Sequence, residues 1–366
     1  EAFNLIGLDY NAVGNHEFDE GKDELLRMQY GGCHPVDGCQ GDDSFDGANF
    51  KFLAANVVRE DDGKPKTLFP PFKIRSFQGA KIAFIGMTLE GTPTIVTPSG
   101  VAGLRFLDEA DTVNALVPEL KKKGVETIVV LLHEGGFPTG GYNECPGISG
   151  PIVDIVNRTD DEVDLFITGH THQAYNCVID GRVVTSAASF GRLVTDIDLT
   201  LDRATGEVTS IAANNVIVTR DVEKASALTA LVDWYRNLSA PLANRVIGSI
   251  TVDITRTNNA AGESALGDVI ADAQLAATAP DGFGNAVVAF MNPGGIRADL
   301  TYAQSGSEGD GNVTYSEAFT VQPFGNSLVT MRLTSTQIET LLEQQFVGCP
   351  NGQPADRVLQ VSAGFA

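Results

Sequence analysis

Short apolar runs alternate with helix-like patterns through the first two-thirds of the chain. Continuous apolar stretches at residues 126–132 and 163–168 are typical of strands that are buried on both faces of a parallel sheet. Apolar residues at helical spacing predict helices at 108–123 and 148–157. Strands that alternate with helices predict a mixed α/β fold. The other elements predicted for this part are a helix at 20–30 and strands at 50–58, 81–88, 182–188 and 193–201.

The pattern changes near residue 220, and this change predicts a second domain. A helical stretch that carries Trp234, the chain's only tryptophan, joins the two parts. Beyond it, an apolar helix at 264–277 is flanked by predicted strands at 247–254 and 286–291. We therefore predict a first domain at 1–220, a linker helix at 221–246 and a smaller α/β domain at 247–366.

The histidines are concentrated in three short segments. The chain has 5 histidines, and all but one lie in residues 14–19 (Gly-Asn-His-Glu-Phe-Asp), 131–135 (Leu-Leu-His-Glu-Gly) and 167–172 (Ile-Thr-Gly-His-Thr-His). Each segment closely follows a predicted apolar element. Imidazole and amide groups delivered from loops at one edge of a parallel sheet form sites for borderline metal ions. The sequence therefore predicts a metal centre.

These three segments resemble signatures of the calcineurin-like metallophosphoesterases, and residues 14–19 are similar to the version found in the 5′-nucleotidase branch. The resemblance covers nearly the whole chain. It implies an α/β (α+β) fold, in which a four-layer β-sandwich with helices is followed by the linker helix and a nucleotide-binding domain. It also implies two divalent metal ions, and it leaves open whether they are zinc, manganese, magnesium, calcium or cobalt.

The resemblance assigns four metal ligands. Asn15, His133 and His170 would bind one ion, and His172 would bind the other. Alternate residues of an extended segment point the same way, so we expect His170 and His172 to face two adjacent ions. The family's amino-terminal Asp-x-His and Gly-Asp segments supply further ligands and have no counterpart before Asn15. We therefore expect both domains to be incomplete, and residues 1–366 alone to be nearly inactive.

His16 is predicted to act on the phosphoryl group without binding metal. It follows a metal ligand, and in the family this histidine pairs with the aspartate three residues on, which is Asp19 here. The carboxylate would orient the imidazole, and His16 would stabilise the transition state or protonate the leaving oxygen. The alternative role for Asp19 is to cap the following helix. We expect Glu17 and His34 to be structural.

The second domain contains the candidate substrate residues. Asn292 matches the family's base-contacting asparagine and Phe324 its base-stacking ring, whereas a core role is the alternative for Phe324. Arg297 follows a glycine pair and would hold phosphate through its planar guanidinium. Arg256 is a further candidate arginine. The family's later Gly-Gly-Asp-Gly-aromatic segment has no match in this sequence.

Composition narrows the range of partners. The formal net charge of −22 argues against nucleic acid as a partner. Local metal ions and arginines, rather than the overall field, would have to attract an anionic nucleotide. No apolar run reaches the roughly 20 residues of a transmembrane helix, so no membrane span is predicted. The pattern leaves the oligomeric state open.

The 5 cysteines bear on the compartment. Cys33 and Cys39 bracket a loop within the Gly- and Asp-rich insertion 31–47, whereas Cys145 and Cys177 follow two segments of the predicted metal centre. We predict that Cys33 pairs with Cys39, that Cys145 pairs with Cys177 and that Cys349 is left free. Such bridges would imply an oxidising compartment, and free buried thiols are the alternative. We therefore expect a secreted, periplasmic or cell-surface protein.

The residues and the resemblance together predict a 5′-nucleotidase, which removes phosphate from nucleoside 5′-monophosphates through a metal-activated water. Two rival interpretations stay open. One is a UDP-sugar or 2′,3′-cyclic-nucleotide hydrolase on the same scaffold. The other is a non-catalytic nucleotide-binding or surface protein.

Overall fold

The structure is a computed structural model that describes residues 1–41, 44–59, 66–353 and 356–365. It divides into two compact units, Glu1–Thr229 and Ala230–Ala366. The division falls inside the helix Ser226–Ala243, which occupies most of the predicted linker. The mixed α/β fold class is confirmed for both units.

The helices of the first unit are α1 (Ala2–Ile6), α2 (Lys22–Tyr30), α3 (Glu109–Lys122) and α4 (Pro151–Arg158). Its strands are β1 (Tyr10–Ala12), β2 (Lys51–Leu53), β3 (Val57–Arg59), β4 (Lys66–Thr67), β5 (Phe72–Phe77), β6 (Ala80–Thr88), β7 (Leu104–Phe106), β8 (Thr127–His133), β9 (Leu165–Thr168), β10 (Ala174–Ile179), β11 (Arg182–Ala187), β12 (Leu193–Leu201) and β13 (Val208–Ile217). The following elements are α5 (Ser226–Ala243), β14 (Val246–Ser249), α6 (Ala265–Thr278), β15 (Phe290–Met291), β16 (Asn312–Thr314), α7 (Tyr315–Val321), α8 (Ser335–Glu343) and β17 (Gln360–Val361).

Six strands form the central sheet of the first unit, in the order β10-β11-β9-β8-β6-β5. The inner strands β11, β9, β8 and β6 are parallel, and the edge strands β10 and β5 are antiparallel to their neighbours. The register aligns Leu132 with Thr168, and Thr88 with His133. The carboxyl ends of three neighbouring strands therefore meet at one edge of the sheet.

Both faces of this sheet are covered, which explains the continuous apolar runs of β8 and β9. Helices α3 and α4 pack on one face through residues such as Val113, Leu120 and Ile152. The β12–β13 hairpin covers the other face, where its Ile197 and Ile211 contact the sheet. Burying one such side chain contributes about 1.5–3 kcal/mol. Helices, sheet and hairpin are thus three stacked layers of the predicted sandwich among the described residues.

A second core holds the segment that carries Asn15. Phe18 is fully buried, and its ring lies 5.2 Å from that of Phe106. Phe52 and Phe69 make a similar edge contact in the same core, with ring centroids 5.5 Å apart. Aromatic side chains contribute large buried areas, so Phe18 anchors residues 14–19 against the rest of the unit.

The predicted strand at 50–58 is wrong in one respect, since it is two strands separated by a turn. β2 pairs with β1, whereas β3 pairs with β4 and β7. Between them Asn56 is fully buried, and its side chain bonds Thr88 and Leu107. A residue whose side chain bonds other backbone segments in this way marks a turn, not a strand interior.

The second unit is built around α6. Ser264 caps this helix by accepting a hydrogen bond from Gly267 N, and Leu266 and Ile270 pack beneath it with Met291. The strands predicted at 247–254 and 286–291 are much shorter here, as β14 and β15. A register shift at Val246/Gly248 interrupts the first ladder, which explains why pairing soon becomes irregular.

Two disulfides confirm the predicted pairing. Cys33 bonds Cys39, and Cys145 bonds Cys177, whereas Cys349 is a free thiol. The first lies in the insertion 31–47, of which residues 42 and 43 are outside the described residues. No helix in the described ranges has the length and apolar character needed to cross a membrane.

Candidate metal and phosphate site

The structure brings the three histidine-bearing segments together at the carboxyl edge of the central sheet. His133 is the last residue of β8, and His170 follows the end of β9. Asn15 lies on the segment after β1, and its side-chain oxygen is 2.9 Å from His133 Nε2 and 3.1 Å from His170 Nδ1. One amide oxygen and two ring nitrogens therefore converge from positions far apart in the chain.

Asn15 and His133 are candidate ligands that carry no charge at neutral pH, and Asn15 is nearly buried. Asn15 is only 2% exposed. Burial, followed by repulsion from the imidazoles of His170, His16 and His172, lowers the pKa of His133 to about 3. Its ring is therefore unprotonated at neutral pH, which is the state a metal ligand requires.

Two glycines make this approach possible, although the sequence analysis did not single them out. A Cβ on Gly14 would stand 2.7 Å from His133 Cε1 and 2.8 Å from Glu17 Oε2. A Cβ on Gly135 would stand 2.5 Å from the carbonyl oxygen of Gly169. Both distances are shorter than carbon atoms tolerate, so a side chain at either position would push the segments apart.

Buried polar residues fix the segment before Asn15, and these were also missed. Thr88, at the end of β6, donates from Oγ1 to the carbonyl oxygen of Val13 at 2.7 Å. Asn56 in turn holds Thr88, accepting from its N–H at 2.9 Å and donating to its carbonyl at 2.5 Å. In the sequence, Thr88 is a polar residue at the end of an apolar run, and this position could have marked it as a residue that helps to hold the site.

The Gly-His-Thr-His segment departs from the expected geometry. His170 and His172 have φ values of 64° and 56°, so the backbone is left-handed and not extended. Hydrogen bonds hold it there, from Thr171 N to the Gly169 carbonyl at 2.7 Å and from Thr171 Oγ1 to the Gly136 carbonyl at 3.0 Å. His170 and His172 therefore do not alternate along an extended segment, and that prediction is wrong. Non-glycine residues in this region are strained, and such strain is typical of functional sites.

His172 contacts an aromatic side chain in the loop that follows β11. Its ring contacts the ring of Phe190 edge-on, with centroids 5.9 Å apart. The rings of His133 and His170 also meet edge-on, with centroids 5.3 Å apart. The assignment of His172 to a second metal ion stays a prediction.

His16 and Asp19 form the expected pair beside the ligands. His16 Nδ1 lies 2.8 Å from Asp19 Oδ2, and the His16 side chain is 45% exposed. The alternative helix-capping role of Asp19 is wrong, because Gly21 precedes α2 and makes no side-chain cap. Glu17 accepts from Gly14 N at 2.7 Å, and His34 accepts from Asp37 N at 3.0 Å, as expected of structural residues.

The donor set of Asn15, His133 and His170 fits a divalent metal ion, because amide oxygen and neutral imidazole nitrogen suit borderline cations. The structure also brings three carboxylates, Glu90, Asp108 and Glu109, within 4.8 Å of one another. Glu109 accepts from Glu90 N at 2.7 Å, and Asp108 caps α3. These bonds give the group a role in holding the loop before α3.

In the second unit, Asn292 and Phe324 line one cavity of about 570 Å³. The guanidinium of Arg297 lies over the Phe324 ring at 5.2 Å, and Asn292 accepts from Gly294 N at 3.1 Å. Arg256 lines a different cavity of about 300 Å³. Its backbone N–H donates to Asp299 at 2.8 Å, and its guanidinium donates to the Ile296 carbonyl at 3.3 Å.

Comparison with known proteins gives matches along nearly the whole chain. Residues 246–366 match the family described as 5′-nucleotidase, C-terminal domain. Endonuclease YhcR of Bacillus subtilis is 33% identical over 341 residues, which are 93% of this chain and 26% of that protein. Cell wall protein Lmo0130 of Listeria monocytogenes is 30% identical, over 93% of this chain and 45% of that protein.

A solved structure agrees with these matches. The 5′-nucleotidase precursor from Thermus thermophilus has a TM-score of 0.74 and 27% identity, and the match covers 98% of this chain and 66% of that chain. The present chain therefore spans about a quarter of the length of YhcR, less than half of Lmo0130 and about two-thirds of the Thermus thermophilus chain.

Proposed function

We propose that the chain belongs to the 5′-nucleotidase family and that its first unit removes phosphate from nucleoside 5′-monophosphates with the help of two divalent metal ions. The observation that carries this proposal is the convergence of Asn15, His133 and His170 beside the His16–Asp19 pair. Neutral metal ligands next to an oriented imidazole are the parts that phosphate-ester hydrolysis requires.

In this proposal, bound metal ions would neutralise the phosphoryl oxygens and supply an activated water. Asn15, His133 and His170 would hold one ion, and His172 would help to hold the other. The similarity to 5′-nucleotidases and the donor chemistry support this assignment. The acidic surface cannot attract a phosphate ester, since the net charge is −22, so the substrate's affinity would come from this local site.

His16 would act directly on the substrate. Asp19 holds its Nδ1, and this bond fixes the ring orientation. We assign Nε2 to the phosphoryl or leaving-group oxygen. A hydrogen bond donated to that oxygen would stabilise the charge that develops in the transition state.

The second unit would recognise the nucleoside. Phe324 and Asn292 share a cavity, so a base stacked on Phe324 would lie within reach of an amide that can bind its edge. Arg297, stacked on the same ring, would hold phosphate or ribose. Arg256 is a weaker candidate, because Asp299 and the Ile296 carbonyl already engage it. We keep the functional boundaries at 1–220, 221–246 and 247–366.

A phosphodiesterase is the second candidate. The relative that is 33% identical is named an endonuclease, so a diester such as a cyclic nucleotide deserves the same assay. The net charge of −22 argues against a long polyanion in this chain's own site. Comparing AMP, UDP-glucose and 2′,3′-cyclic AMP as substrates would separate the candidates.

A location outside the cytoplasm is also proposed. The Cys33–Cys39 and Cys145–Cys177 bridges favour an oxidising compartment, and one relative is named a cell wall protein. Secreted, periplasmic and cell-surface locations all satisfy these observations.

The test of the proposed function compares three histidine variants of the natural polypeptide. His16→Ala should lower kcat on AMP by about 10²–10³ while keeping its metal content, because it removes a transition-state contact only. His170→Ala should lower both metal content and kcat. His34→Ala is the control, since among the described residues His34 bonds only within its disulfide loop and to Glu24 in α2.

Kinetics and metal analysis decide the outcome together. A chelator should abolish turnover, and added metal should restore it. Metal loss in the His16 variant would make His16 a ligand and overturn its assigned role. A His170 variant with full metal content and full activity would overturn the metal site itself.

A further inference from the structure

A short loop beside His172 takes no part in the proposed chemistry so far. It connects β11 to β12 and comprises residues 188–192. Because β11 runs parallel to β9, this loop leaves the sheet at the same edge as the metal-binding segments. The loop is firmly held, since Ala188 N donates to the Gln173 carbonyl at 3.0 Å and Val218 N donates to the Arg192 carbonyl at 2.9 Å.

The loop keeps an unfavourable backbone that burial does not explain. Ala188 and Phe190 have φ values of 59° and 62°, in the left-handed region that side chains avoid. Phe190 is nevertheless 74% exposed, so packing gains little from its position. Strain that is retained without burial is typical of positions kept for binding or catalysis.

Phe190 is placed between a metal-site residue and a cation. Its ring meets His172 edge-on at 5.9 Å, and the guanidinium of Arg192 lies 5.1 Å from its centroid. The cation–π contact limits where the guanidinium can go, and the guanidinium N–H groups can still donate hydrogen bonds. Arg192 is thus linked to His172 through the ring of Phe190.

Arg192 has no anionic partner among the described residues. Its side-chain hydrogen bond is a 3.5 Å contact with the neutral Ser189 Oγ. In a chain with 47 acidic and 25 basic residues, an exposed arginine without a carboxylate neighbour needs an explanation. A guanidinium recognises phosphate in two-point geometry, and an anion beside the metal site would supply that partner.

We propose that Phe190 and Arg192 form a specificity-determining contact for a second phosphate of the substrate. This inference rests on the proposed function and adds the preference for nucleotides with two phosphates over those with one. The terminal phosphoryl group would occupy the metal site, and Arg192 would bind the adjoining phosphate. Phe190 is the positioning residue, because it holds the guanidinium at the rim.

The reaction of such a substrate is a hydrolysis. The oxygen of water bonds to the terminal phosphorus, and the bond from that phosphorus to the bridging oxygen breaks. The nucleoside monophosphate leaves with the electron pair and a proton, and inorganic phosphate is released. Arg192 would stabilise the charge that grows on the leaving phosphate.

The experiment compares ADP with AMP in the metal-loaded natural polypeptide. Arg192→Ala should lower kcat/KM for ADP by roughly ten- to a hundredfold, the effect of losing a charged hydrogen bond, and leave AMP nearly unchanged. The kcat/KM for ADP of Arg192→Lys should lie between the values of the wild-type protein and of Arg192→Ala. Phe190→Ala should lower kcat/KM for ADP by less than Arg192→Ala does. Arg203→Ala is the matched control, because Arg203 is an exposed arginine beyond the opposite end of β12.

A binding measurement keeps the inference separate from the proposed function. At fixed free metal concentration, Arg192→Ala should weaken binding of pyrophosphate and not of inorganic phosphate, as followed by calorimetric titration. Equal losses on ADP and AMP, or unchanged pyrophosphate affinity, would overturn the inference. A wild-type protein inactive on both nucleotides would refute the proposed function, and the titration would still decide the role of Arg192.

Discussion

The most informative structural perturbation is Asn56→Ala. Asn56 is fully buried, and its side chain makes three hydrogen bonds, with Thr88 N at 2.9 Å, the Thr88 carbonyl at 2.5 Å and the Leu107 carbonyl at 2.9 Å. A buried backbone group that loses its partner costs about 1–3 kcal/mol. Because water can enter part of the space left by the side chain, we expect Asn56→Ala to lower the free energy of unfolding by about 3–5 kcal/mol in total. This is a large share of a domain's stability.

Urea unfolding at equilibrium measures this loss, with Asn114→Ala as the control. Asn114 makes similar bonds to Arg158 and Asp160, but these are exposed at the protein surface. The control should therefore lose about 1 kcal/mol or less. If both variants unfold at the same urea concentration, the buried bonds of Asn56 do not hold the end of β6, and our account of how residues 14–19 are positioned fails.

Three further changes test other parts of the molecule. Phe324→Ala should raise KM for AMP by an amount worth about 1–3 kcal/mol, the value of base stacking, and should leave KM for p-nitrophenyl phosphate unchanged. Phe283→Ala changes an exposed phenylalanine in the same unit, and this control should alter neither KM. Equal effects of Phe324→Ala on both substrates would make Phe324 a core residue. Reducing the Cys145–Cys177 bridge, which closes a separation of 32 residues, should lower the free energy of unfolding by about 3–4 kcal/mol, and an unchanged urea midpoint after reduction would contradict this. Burial raises the pKa of Asp164 to about 6, so between about pH 4 and 6 the folded protein binds a proton that the unfolded chain has lost. The free energy of unfolding should therefore fall as the pH rises through that window. Asp164→Asn should remove this fall and raise the free energy of unfolding by about 1–3 kcal/mol at pH 7, as measured by thermal unfolding at a series of pH values.

The sequence predicted best where a local pattern carried the information. The continuous apolar runs of β8 and β9 identified buried parallel strands, and the histidines after them are the side chains that the structure brings close to Asn15. The His16–Asp19 pair is also local, since three residues separate the two side chains. Periodicity and spacing report on such short-range features directly.

Other features were hidden because they depend on distant contacts. The role of Gly14 follows from the position of His133, and the role of Asn56 follows from the ends of β6 and β7. The left-handed backbone at His170 and His172 is imposed by hydrogen bonds to neighbouring loops, so an argument from an extended strand could not find it. Tertiary structure overrides local preference at these positions.

The convergence on Asn15 also has a consequence for how the molecule assembles. Its contacts with His133 and His170 join positions 118 and 155 residues apart. Closing such long loops is entropically costly, and contacts of this range form late in folding and slow it. A nascent chain therefore cannot gather these ligands until β9 and the segment after it have been synthesised. In the proposed function, metal capture would therefore be a late event that completes the folded unit and does not nucleate it.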